Sequence, residues 1–193
     1  MRAGIIVIAA LALALAGCSA PGVSADYDGS AGGEYISGDG TTHYWPEDQR
    51  GAPIEFAGPT DGGETLSSDD LAGEVALVNF WYASCGPCRT EAADLNDLYA
   101  EYADQDVAFV GVNIRDDAAN AQSFAKDFEV LYPSILDVAD NAVTLAFSTP
   151  APPTTTPTTF LLDKQGRVAA RFTSAIQSPS VVAAMIDDLL AEQ

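Results

Sequence analysis

A run from Val75 to Trp81 (VALVNFW), apolar except for Asn79, leads directly into Tyr82-Ala-Ser-Cys-Gly-Pro-Cys-Arg-Thr-Glu91. So short a β-prone run suits a strand covered on both faces. The residues after it change period. Ala92, Leu95, Leu98, Tyr99 and Tyr102 recur at helical spacing and predict a helix from about Gly86 to Ala103. A strand that feeds a helix through a tight turn needs a sheet for the helix to pack on, so the chain is expected to be α/β. It also sets Cys85 where the helix begins.

The rest of the chain from Gly51 agrees. VAFVGVNI (107–114) reads as a second buried strand, and AANAQSFAKDFEV (118–130) as a helix with Ala121, Phe124, Ala125 and Phe128 on one side. A weaker helix is expected over 140–147. TTFLLD and VAARFTS form a strand pair turned by Lys164 to Arg167. Ser178 and Pro179 open a last helix whose apolar side holds Val181, Val182, Met185, Ile186, Leu189 and Leu190. The whole is a central mixed sheet flanked by helices.

Cysteine is scarce. The chain has 193 residues and only Cys18, Cys85 and Cys88, with His43 the sole histidine. A structural zinc site wants four ligands, so no metal and no other cofactor is expected. Residues three apart at a helix start face the same side, so Cys85 and Cys88 can form a disulfide. A loop that short adds little chain-entropy stability, which favours reversible chemistry over a staple. The helix N-terminus favours an anion and should lower the thiol pKa of Cys85.

The first eighteen residues have their own pattern. Arg2 precedes an apolar run from Ile5 to Ala16, too short for a comfortable span, and Leu-Ala-Gly-Cys18 follows. This order resembles a bacterial lipobox: residues 1–17 as a signal peptide, Cys18 lipidated. Residues 18–50, rich in Gly, Ser and Asp, are expected to be a flexible acidic tether, with the folded domain at 51–193. A loose packing spot is the plain expectation for His43. The formal charge of -20, from 28 acids and 8 bases, excludes nucleic acid and electrostatic docking on anionic lipid. Membrane attachment would then rest on the lipid.

Two segments together, VALVNFWYASCGPCRTE and TPTTFLLDKQGRV, resemble the TlpA/ResA-like thioredoxins, over most of residues 51–193. The resemblance implies a thioredoxin-like fold with an N-terminal extension and an inserted helix, for which 118–130 fits. It implies an extracytoplasmic, membrane-anchored thiol-disulfide oxidoreductase, with protein thiol or disulfide clients, a membrane electron donor and a monomeric state. Cys85 matches the nucleophile and Cys88 the resolving cysteine. Pro157 matches the family's cis-proline, which frees the backbone of Thr156 to pair with a client, and Trp81 joins Thr156 and Pro157 as a substrate contact. Glu91 matches a glutamate three residues after the resolving cysteine, expected to be partly buried and to pass protons. Gly86-Pro87 is the thioredoxin dipeptide, which favours a reductant, with apocytochrome c as one family client. A general oxidase or isomerase stays open, as does a non-catalytic binding lipoprotein. Ser84 and Tyr82 depart from the family's usual tryptophan and small residue, and so alter the rim of the site.

Overall fold

The computed structural model describes residues 35–37, 41–149 and 152–192. The expected signal peptide, Cys18 and most of the acidic segment expected as a tether lie outside them. Among the described residues no helix is long and apolar enough to cross a membrane.

The sheet is organised around the opening run. β5 spans Val75–Trp81 and is buried at every position. It pairs in parallel with β6, Val107–Asn113, and antiparallel with β8, Thr158–Leu162. β9, Val168–Thr173, continues beyond β8, and β7, Ser134–Leu136, lies parallel to β6. With β1 (Tyr35–Ile36) and β2 (Thr42–Tyr44) at one edge, the order is β1-β2-β9-β8-β5-β6-β7, a mixed sheet of seven strands. Its period of two sorts β5 into two faces. Val75 and Leu77 face α1 (Gly86–Glu101) and α4 (Pro179–Ala191), where Leu95, Leu98, Met185, Ile186 and Leu189 complete one core. Ala76, Val78 and Phe80 face the other side, against Phe56, Val143, Phe147 and Phe160. Asn79 and Trp81 share the α1 side with Leu77, and this puts a polar side chain under the helix that carries the cysteines.

α2 (Ala118–Asp127) and β7 form the expected insertion between β6 and α3 (Ala142–Ala146). Asp117 caps α2 through a bond from the Asn120 N–H. Ser178 precedes α4 but makes no side-chain cap, so Pro179 alone carries that start signal.

The tether boundary at residue 50 needs correction. β1 (Tyr35–Ile36) pairs with β2 (Thr42–Tyr44), and β2 pairs antiparallel with β9, Tyr44 opposite Ala170. The Arg50 side chain is buried and bonds Asp163 Oδ2 at 3.0 Å and Glu192 Oε2 at 2.6 Å. The folded unit therefore begins by Tyr35. A three-residue strand has no readable alternation of its own, and the edge that holds it comes from residues far along the chain. The same cause hides the hairpin β3 (Ala57–Pro59) and β4 (Thr65–Ser67). His43 sits on β2 with its ring stacked on Trp45, 3.8 Å between centroids.

Candidate active site

Cys85 is the N-cap of α1, and its Sγ accepts a bond from the Cys88 N–H at 3.1 Å. The local sequence explains this. β5 ends at Trp81, Cys85 N–H closes a turn on the Tyr82 carbonyl, and Pro87, which has no N–H to lose, suits the first helical turn. Cys85 and Cys88 are joined as a disulfide with Cα atoms 5.3 Å apart. Both are buried, while Ser84, Gly86 and Pro87 beside them are exposed.

The segment before β8 closes over the pair. The Thr156–Pro157 peptide is cis, and Cys85 Sγ lies 3.8 Å from the Thr156 carbonyl oxygen. The cis peptide thus brings the Thr156 carbonyl, just before Pro157, to the cysteines.

Glu91, about one turn beyond Cys88 on α1, is 1% exposed. Its Oε1 accepts from Asn79 Nδ2 at 2.9 Å and its Oε2 from the Ile176 N–H at 3.0 Å. Burial pushes the carboxyl up to about 7. The bonds from Ile176 and Asn79 hold it back in part, and the charge of Asp94 adds to the rise. Asn79 also donates to Thr159 Oγ1 at 2.9 Å, so β5, β8 and α1 meet at one amide. In the sequence Asn79 stands out only as the polar residue of an apolar run, which names no partner for it. Ile176 left no signal at all, because it acts through its backbone.

Trp81 is a correction. It was expected at the client surface, yet it is 4% exposed. Its indole N–H donates to Ser134 Oγ at 3.1 Å and its ring packs on Phe124, with centroids 4.3 Å apart. Trp81 thus builds the floor behind the cysteines and presents nothing to a client. Gly111 answers to the same packing: a Cβ there would run into Ser134 and the Trp81 indole nitrogen.

The rim that departs from the family pattern is braced. Ala83 N–H donates to Asp116 Oδ2 at 2.6 Å, and Arg89 Nε to the Ala83 carbonyl at 2.8 Å. The Arg115 guanidinium lies 4.2 Å from the Tyr82 ring centroid. Among the described residues no group of His, Cys, Asp and Glu is placed to hold a metal.

A sulfur pair at a helix start, a neighbouring backbone carbonyl and a buried carboxyl with a raised pKa are the parts that thiol–disulfide exchange uses. Comparisons with known proteins agree. The thiol-disulfide oxidoreductase ResA of Geobacillus thermodenitrificans is 31% identical over 112 residues, 58% of this chain and 62% of the relative. The chain thus spans about three-fifths of that relative's length. The secreted thiol-disulfide isomerase of Corynebacterium glutamicum superposes with a TM-score of 0.69 at 30% identity, covering 83% of this chain and 100% of that one. The DsbF homologue of Corynebacterium diphtheriae gives 0.68 at 31% identity, covering 80% and 99%. These neighbours establish the thioredoxin-like fold. The Redoxin pattern matches residues 46–186, most of the chain, and the protein belongs to the Redoxin family.

Proposed function

We propose that this protein is an extracytoplasmic thiol–disulfide oxidoreductase that reduces protein disulfides. One observation carries the reading: Cys85 and Cys88 are bridged at the start of α1, with the Cys85 sulfur against the Thr156 carbonyl. The names of the relatives support it, one a thiol-disulfide oxidoreductase and one a secreted thiol-disulfide isomerase.

The reaction starts from the reduced pair. The Cys85 thiolate, favoured by the helix N-terminus, attacks one sulfur of a client disulfide. The client S–S bond breaks, a mixed disulfide forms, and one client sulfur leaves as a thiolate. Cys88 gives up its proton, for which Glu91 is the acceptor, and attacks Cys85 Sγ. The bond to the client breaks and Cys85–Cys88 is left oxidised. Two electrons pass from the pair to the client, whose sulfurs take up two protons. Thr156 and Pro157 hold the client's extended backbone against the pair. A membrane electron donor restores the dithiol, and the enzyme works as a monomer. Apocytochrome c, before haem attachment, is the client we favour.

The Gly86-Pro87 spacer carries no histidine to stabilise a thiolate. The couple is therefore expected at roughly -230 mV or lower, near thioredoxin and away from the ~-120 mV of a strong oxidant. Equilibration against dithiothreitol or glutathione buffers measures it. A potential above about -150 mV would overturn the reductant and promote the oxidase or isomerase.

Residues 1–17 are proposed as a lipoprotein signal, with Cys18 the lipidated residue and the domain held at the extracytoplasmic face of the membrane. Cys18→Ala should release the protein from membranes or leave an unprocessed precursor. Normal cleavage with unchanged membrane attachment would remove the anchor from the account.

A further inference from the structure

A cavity of about 10 Å³ lies directly behind Cys88, between β5, α1 and the chain leading to β7. Trp81, Leu95 and Phe124 supply apolar walls, and its two strongly polar walls are Asn79 and Tyr132. Such a volume is at the lower end of what holds one water molecule.

The hydrogen-bonding of those walls is incomplete in a complementary way. Asn79 donates from its amide nitrogen to Glu91 and Thr159, while its carbonyl oxygen accepts nothing from the described residues. The Tyr132 hydroxyl likewise makes no hydrogen bond to a described residue, although only 7% of Tyr132 is exposed. Each of the two atoms keeps a little accessible surface, so each is open to a water. The Tyr132 ring is held by Phe109 and Tyr99, each 5.8 Å away between centroids.

We infer that Tyr132 and Asn79 seat a single water molecule against Cys88, and that Tyr132 is a positioning residue for the resolving step. The bonding closes without remainder. The Tyr132 O–H donates to the water, and the water donates to Asn79 Oδ1 and to Cys88 Sγ. When Cys88 loses its proton, its charge would otherwise develop against apolar walls, which is costly. The water gives that charge its one close donor on this side. Burial and the nearby Glu91 charge push the Tyr132 phenol pKa upward, so the hydroxyl remains a donor throughout the working range. The other titratable groups near this spot are Cys85, Glu91, whose charge reaches Tyr132, and Tyr99 on the Tyr132 ring; Asp94 acts on Glu91. The strands β5 and β8 and helix α2 present only Asn79, Thr159, Trp81 and Phe124.

The step that Tyr132 assists rests on the oxidoreductase reading, but its test does not. With Cys18→Ala and Cys85→Ser together Cys88 is a lone thiol, and its thiolate absorbance near 240 nm can be followed against pH with no client present. Adding Tyr132→Phe should raise the Cys88 pKa by about one pH unit, the scale of one lost hydrogen bond to a charge. In the protein with both cysteines, the same substitution should slow release of a client peptide from Cys85 about fivefold to tenfold, with formation of the mixed disulfide unchanged. Phenylalanine fills the same space, so a role in packing alone predicts no shift. A Cys88 titration within about 0.2 units of the parent would overturn the inference. Failure of the unsubstituted protein to reduce any protein disulfide would overturn the oxidoreductase reading instead, and it would leave that titration standing.

Discussion

Cys88→Ser is expected to lower turnover on a disulfide client by about a thousandfold or more and to leave the client covalently held on Cys85. The size follows from proximity. Cys88 is attached three residues from the sulfur it must attack, so its local concentration far exceeds that of any thiol in solution. The roles follow from position. Cys85 lies at the helix cap beside the Thr156 carbonyl and the exposed Gly86-Pro87 edge. Cys88 is enclosed by Trp81, Ala92 and Phe124. In the disulfide both sulfurs are buried, so the difference is one of position: the first is the helix cap, where the N-terminus favours its thiolate. In the reduced protein Cys85 should therefore be the thiol that alkylates. Non-reducing electrophoresis and mass spectrometry of the trapped adduct would test both statements. Trapping through Cys88 in a Cys85→Ser protein, at the rate seen for Cys88→Ser, would reverse the roles; undiminished turnover of Cys88→Ser would end the two-cysteine mechanism.

Such a variant would also identify the clients, which neither the fold nor the relatives specify. The rim at Ser84 and Tyr82, braced by Arg115 on the Tyr82 ring and by Asp116 on the Ala83 N–H, is where their selection should be sought, because Ser84 and Tyr82 are the two residues that depart from the resemblance.

The parts of the site that the sequence displayed are those held close together in the chain. The strand Val75–Trp81 was legible from composition, and the start of α1 from the change of period together with Gly86-Pro87. Pro157 and Glu91 came from the family resemblance; the fold puts the cis Thr156–Pro157 peptide at Cys85 and buries Glu91 about one turn beyond Cys88. What stayed hidden depends on partners distant in sequence. Glu91 is fixed by an amide on β5 and by the backbone of Ile176, 85 residues away, and no residue type announces a backbone donor. Tyr44 and Arg50 read as tether because their partners, on β9 and at the end of α4, are not local. Trp81 is the instructive error. Its nearness to the cysteines in sequence suggested contact with clients, but the alternation that puts Leu77 and Asn79 on the α1 side takes Trp81 with them.

Glu91→Gln should change how stability depends on pH, and the sign can be worked out. The carboxyl titrates near 7 in the folded protein, against 4.5 for an ordinary glutamate, because burial disfavours its charge. Between these values the folded state keeps a proton that the unfolded chain has released. The contribution to stability is therefore full below about pH 4.5 and is lost as the pH rises to about 7. At about 1.4 kcal/mol per pH unit, the loss amounts to about 3 kcal/mol. Glutamine is neutral throughout and has no such slope. It has only one acceptor oxygen, so either Asn79 or Ile176 loses its partner, at a cost of roughly 1–2 kcal/mol. The variant should then be less stable than the parent below about pH 5 and more stable above about pH 7. Urea unfolding of both oxidised proteins across this range measures the difference directly, and other acids cancel in it. A difference that stays constant with pH would mean that Glu91 is not the titrating group. The same substitution should slow exchange at least tenfold or so and flatten its pH profile between about 6 and 9, because Cys88 loses its proton acceptor. Stability gained above neutrality together with activity lost is the pattern of a carboxyl kept buried for its chemistry. Loss of both together would assign Glu91 to packing.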